Sequence, residues 1–273
     1  MRRYLPVFEE IYRTYNRRDL VSPDPLQFLY QYQDLRSREL VGFIASSLAY
    51  GRVQQILTSV SKVLEPLGKE PLDVLMSCSE TFMEKNYLGF KHRFTTGREV
   101  IALLRSIRQM IRVYGSLEEA IFHKIGIEKN FLSAISSFVE ELEVEGGLAN
   151  SSLLVSPSRN SACKRLFLFL KWMVRKDEVD PGGWGRFKPS DLIMPVDTHV
   201  YHISRVLGIT RRKTVNLKTA LEITEAFRSI SPLDPIKYDF ALTRFGIRSD
   251  MDVCDLFEKC GCKQANVGTS GLK

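Results

Sequence analysis

Apolar positions along the chain recur at helical spacing. Leu40, Phe43, Ile44 and Ser47 share one face of the stretch 35–50. Val100, Leu103, Leu104, Ile107 and Ile111 do so over 100–113, and Phe131, Ile135, Phe138 and Leu142 further on. Alternating stretches joined by Asn-Gly or Asp-Gly turns are missing. The pattern predicts an all-α protein of about a dozen helices. Breaks fall where Pro and Gly cluster. Ser22-Pro-Asp-Pro25 ends the first helix, Leu67-Gly68 closes the third, and Glu70-Pro71 opens the next. Residues 146–162 are rich in Gly, Ser and Asn and form the longest loop signal. Asp180-Pro-Gly-Gly-Trp184-Gly is a second loop, and Ser231–Pro235 separates two late helices. Gly246 reads as a helix C-cap, and residues 264–273 as a frayed tail.

Composition narrows the class. The chain has 273 residues, 44% hydrophobic and 26% charged, which is a globular balance and excludes wholesale disorder. No apolar run approaches the roughly 18 residues of a membrane span. The best candidate, residues 166–174, is interrupted by Lys171. Glu9 and Glu10 stand where an export signal needs apolar residues. Five cysteines, an odd number, fit a reducing compartment better than a disulfide framework, so the expected location is cytoplasmic, away from membranes.

Charge adds a partner class. The net charge is +7. Arg159, Lys164, Arg165, Lys171, Arg175 and Lys176 make one basic run. Arg205, Arg211, Arg212, Lys213 and Lys218 make another, with the Trp184 loop between them. A single run is usually a solvated face; two flanking a Gly-rich loop favour a polyanion, nucleic acid first.

Two positions carry candidate chemistry. Asp197 follows Pro195-Val196 and precedes the stripe Val200, Ile203, Leu207, which makes it an N-cap. The backbone N–H groups and positive end of the helix favour its carboxylate form. A purely structural cap is the competing reading. Lys164 falls in the first turn of the apolar helix that begins after the Ser/Asn loop. The positive helix end disfavours a cation there and favours the nucleophilic free amine. An ordinary surface lysine is the competing reading, and Lys171, Lys176 and Lys188 are rivals. Asp197, His199 and His202 also spell Asp-x-His-x-x-His, with the histidines on one helix face, which raises a metal-dependent hydrolase as a lesser possibility.

Pro195-Val-Asp-Thr-His-Val200, continuing to Arg205-Val-Leu-Gly208, resembles the catalytic-aspartate segment of the helix-hairpin-helix DNA glycosylases, the superfamily of endonuclease III and the 8-oxoguanine glycosylases. Arg38–Arg52 resembles its early helix pair, Gly89–Phe94 the segment before a barrel helix, and Lys237–Gly246 a late helix. Lys164 and Asp197 stand 33 residues apart (197 − 164), similar to the archaeal 8-oxoguanine glycosylases. Trp172–Asp177 and Pro189–Ile193 resemble still more closely an uncharacterised bacterial family of unknown function. Two family features are missing. Ser158–Cys163 stands in place of the glycine hairpin. Cys254, Cys260 and Cys262 replace a four-cysteine signature, so no iron–sulfur cluster is expected and no other cofactor or metal.

The resemblance implies two helical subdomains with a central cleft. Residues 35–190 would carry the lysine, and residues 1–34 with 191–273 the aspartate. It implies a monomeric DNA N-glycosylase with AP lyase activity, acting on double-stranded DNA that holds an oxidised, 8-oxoguanine-like base. Lys164 would be the nucleophile and Asp197 its assistant. Tyr50 or Arg52 would fill the space left by the flipped base. Trp184 and Phe187 would stack on that base, and Arg165, Arg211, Arg212 and Lys213 would meet DNA. The competing expectation is a non-catalytic nucleic-acid-binding protein on the same scaffold.

Overall fold

The structure, a computed structural model, describes residues 1–149, 151–247 and 251–262. The tail expected to fray, 264–273, lies outside them. Among the described residues there are thirteen α-helices, several short 3₁₀ turns and one two-stranded hairpin. The fold is all-α. No helix among them is long and apolar enough to cross a membrane.

Helix α2 (Leu35–Ser47) runs through the middle. The Asp34 side chain caps it by accepting from the Ser37 N–H at 2.7 Å. Unlike a surface helix it is buried nearly all round, Leu40 to Ser47 without interruption. Helix α9 (Lys164–Val174) crosses it at Gly42, where a Cβ would sit 3.3 Å from Leu29, 3.5 Å from Met173 and 3.6 Å from Phe169. The small residue lets the two backbones approach, and Phe43 meets Phe169 edge-on at 5.0 Å. Helix α3 (Val53–Leu64) follows a turn through Tyr50–Arg52. Helices α4 (Pro71–Ser77) and α5 (Glu80–Tyr87) complete the first part of the chain. Glu70-Pro71 opens α4 as the sequence predicts.

Strands β1 (Lys91–His92) and β2 (Thr95–Thr96) form the hairpin that periodicity did not predict; each is only two residues long, too short to show an alternation. Helix α6 (Gly97–Tyr114) begins with a capping box between Thr96 and Glu99 and stops at Gly115, at φ 85°. It packs with α7 (Leu117–Glu128) and α8 (Phe131–Gly146). Residues 147–149 and 151–163 then belong to the loop that composition predicts. It is not a simple surface loop, because Leu148, Leu153, Leu154 and Ala162 are buried.

Helices α10 (Thr198–Val206), α11 (Leu217–Arg228) and α12 (Asp239–Ile247) pack with α1 (Leu5–Tyr15). Phe8 touches Phe227 and Tyr238 at ring distances of 5.3 and 5.5 Å. Helix α13 (Val253–Lys259) closes the described chain. Gly246 does not cap α12 but lies within it. A Cβ there would come within 2.0 Å of the His199 ring, so the residue is small because α10 passes close by.

Candidate active site

The Asp197 side chain caps α10. One oxygen accepts from the Val200 N–H at 2.8 Å, which satisfies an otherwise free amide of the first turn. Pro195 and Val196 lead into the cap, with Val196 buried. The other carboxylate oxygen lies 3.5 Å from Lys164 Nζ. Lys164 is the first residue of α9. It follows Cys163, which takes the left-handed conformation at φ 47° and turns the chain into the helix. The Asp197 side chain is 9% exposed and that of Lys164 37%, so the acid is sheltered and the amine faces an opening.

That opening is a cavity of about 730 Å³ between α2 and α9 on one side and α10 and α12 on the other. Both Lys164 and Asp197 line it, with Tyr50, Gly51, Leu153, Leu154 and Val215 among the walls. Its size lies inside the ~300–1,000 Å³ range of small-ligand pockets.

The floor is charged and buried. Lys171 stands two turns along α9 from Lys164, on the same face. Its Nζ donates to Asp239 Oδ2 at 2.7 Å and lies 3.9 Å from Asp180. All three side chains are buried. Burial pushes the Lys171 ammonium toward neutrality, but the carboxylates of Asp180 and Asp239 outweigh it and hold its pKa above the ordinary value. Burial raises the Asp239 carboxyl, with Lys171 opposing, and raises Asp180 to about 6 against Lys171 and Arg175. Arg175 extends the network by pairing with Asp177, Asp180 and Asp234. Asp239 Oδ1 finds no partner among the described residues, although Asp239 lines the cavity. Nearby, Arg244 pairs with Asp24 at 3.1 Å, and its Nε likewise finds no partner among them. Both atoms are buried rather than open to the cavity. The Lys171 break in an apolar helix was the signal for this layer, and its acidic partner lies too far along the chain to be paired by spacing.

The other sequence candidates divide. Tyr50 lines the cavity but is held in place. Its hydroxyl is bonded to the hairpin, and the Arg165 guanidinium stacks 4.8 Å from its ring. Arg165, expected on DNA, lines the cavity and donates to the carbonyls of Ser47 and Ser152. Arg52 is exposed at the start of α3. Arg211, Arg212 and Lys213 are exposed on the loop after α10, close in sequence to Val215 on the cavity wall; Arg212 pairs with Glu222.

Trp184 and Phe187 do not line the cavity. They are buried elsewhere, Trp184 against Phe169 with its indole N–H donated to Glu39 at 2.9 Å, and Phe187 against Phe131. Aromatic residues in a Gly-rich loop look alike whether they anchor the loop or face a ligand, and here burial of apolar area decides. Lys176 and Lys188 are exposed and outside the cavity wall. His199 lines the cavity, whereas His202 packs on Phe257 at 5.7 Å, so the two do not act as a pair. No group of three or more His, Cys, Asp or Glu among the described residues is arranged to hold a metal ion. In place of the glycine hairpin, Pro157–Arg159 forms a 3₁₀ turn ended by Asn160 at φ 55°.

The family described as Protein of unknown function (DUF2400) matches residues 24–248, and the chain belongs to that family. No curated protein matches the chain, and no solved structure does.

Proposed function

We propose that this member of the family is a DNA N-glycosylase with AP lyase activity, which extrudes an oxidised base from duplex DNA into the cavity. The observation that carries the reading is the approach of Lys164 Nζ to Asp197 Oδ2, 3.5 Å apart at the cavity wall. A sheltered carboxylate beside an amine suits a reaction that builds positive charge on a sugar and then captures it. The cleft between α2–α9 and α10–α12 is read as the boundary of two subdomains, as in helix-hairpin-helix glycosylases.

The bond from the sugar C1′ to the base breaks, and the base leaves with the electron pair. Asp197 stabilises the oxocarbenium-like charge left on the sugar. The Lys164 amine donates its lone pair to C1′, and the proton it gives up neutralises the departing base. The nitrogen lone pair then forms the C=N bond to C1′ as the C1′–O4′ bond breaks and O4′ takes up a proton, which opens the sugar ring to a protonated Schiff base. Loss of a C2′ proton and cleavage of the C3′–oxygen bond then release the 3′ phosphate and nick the strand.

Borohydride reduction on a duplex holding 8-oxoguanine or an abasic site tests this. The full chain should give a covalent protein–DNA adduct that Lys164→Ala abolishes while salt-sensitive DNA binding persists. Binding without any adduct, unchanged in Lys164→Ala and Asp197→Asn, would refute the enzyme and leave a nucleic-acid-binding protein.

A further inference from the structure

The hairpin of β1 and β2 sits on the rim of the cavity, held from below. Tyr50 donates its hydroxyl to the His92 carbonyl at 3.0 Å and accepts from Thr95 at 2.6 Å. The His92 ring returns the contact, with Nε2–H donated to the Tyr50 carbonyl at 3.0 Å and Nδ1 accepting from Ser59 at 2.8 Å. Burial lowers the pKa of that ring below the ordinary value. The tip residue Arg93 takes the left-handed conformation at φ 51° and lies over Gly51, itself at φ 97°. A Cβ on Gly51 would come within 2.8 Å of the Arg93 side chain. Tyr50 and Gly51 line the cavity, so the tip is fastened to its edge.

What this tip holds out is a bare aromatic ring. Phe94 is 74% exposed, with Arg93 5.7 Å from its ring centre. A phenylalanine side chain left in water forgoes the gain of burying its apolar surface. Lys91 and Arg98, near it in sequence, and Arg52, next to Gly51, are exposed as Arg93 is, and no acidic residue occurs between Lys91 and Arg98. An exposed aromatic ring with a cation against it, in a basic stretch of chain, suits stacked bases between phosphates. Tyr50, the sequence candidate for this task, is held by two hydrogen bonds and cannot swing out without breaking them.

We propose that Phe94 is a wedge which enters the base stack of duplex DNA beside the extruded nucleotide, while these cations meet the flanking phosphates. This rests on the glycosylase reading above. The ring fills the space the nucleotide vacates and so holds it outside the helix. The hairpin's fastening to Tyr50 and Gly51 sets the wedge at a fixed distance from the cavity mouth.

The test uses the full chain and a duplex with a tetrahydrofuran abasic analogue opposite 2-aminopurine. Affinity is read by anisotropy and stacking by 2-aminopurine fluorescence. Phe94→Ala should weaken duplex binding by about ten-fold or more and abolish the fluorescence change, with single-strand binding unaltered; Phe94→Trp should retain both signals. Equal duplex binding by Phe94→Ala and wild type overturns the wedge. An equal loss on the single strand also overturns it, in favour of a general stacking platform. If wild type forms the Lys164 adduct while Phe94→Ala changes nothing, the wedge fails and the glycosylase stands. If wild type binds no duplex DNA, both fall.

Discussion

The Lys171–Asp239 pair at the cavity floor is the most exposed to a quantitative check. Asp239→Asn keeps the shape of the side chain and removes its charge. Lys171 is then left with Asp180, 3.9 Å away and already engaged by Arg175. Breaking a buried pair from one side costs roughly 3–5 kcal/mol. An independent ceiling agrees: releasing a proton from an ordinary lysine at pH 7 costs about 3.4 pH units times 1.36, roughly 4.6 kcal/mol, and the side chain can always escape that way. The loss is a large part of a typical ~5–15 kcal/mol stability and lowers the melting temperature by roughly 10 °C. Lys171→Met combined with Asp239→Asn removes the stranded ammonium and should recover at least about 2 kcal/mol over Asp239→Asn alone. Urea unfolding followed by circular dichroism at pH 7 measures all four corners of the cycle. A single variant within 1 kcal/mol of wild type, or purely additive losses in the double variant, would show that the floor is wetter and looser than its burial implies.

Asp197→Asn separates the two jobs of that residue. Asparagine caps a helix about as well as aspartate, so stability by thermal unfolding should move by less than about 1 kcal/mol, while the rate of base release falls by two orders of magnitude or more. Equal losses of both would mean the carboxylate serves only α10. His92 predicts a pH effect. Burial lowers its pKa in the folded chain, so below the ordinary value near 6.5 the unfolded chain binds the proton first. Stability should therefore fall as pH drops below 6.5 and level off under the folded value. His92→Gln, which keeps a donor for the Tyr50 carbonyl, should flatten part of that fall in urea titrations at pH 7.5 and 5.5.

Much of this protein is written in short-range order. The stripe Val100, Leu103, Leu104, Ile107 is buried along α6, and Asp197 caps α10 with the Val200 N–H, because helix faces and caps depend on residues three or four apart. The position of Lys164 at the head of α9 follows in the same way. Tertiary structure alone decided what those ends meet. Lys164 approaches Asp197, Lys171 finds Asp239, and Tyr50 ties down a hairpin some forty residues away, because α9 crosses α2 at Gly42 and α10 passes α12 at Gly246, where small residues let them. The same crossing turned Trp184 inward to Glu39, since apolar area is buried wherever packing closes, regardless of which loop supplies it. Spacing along a chain encodes hydrogen bonds within a turn, but it carries no information on which distant face will lie opposite.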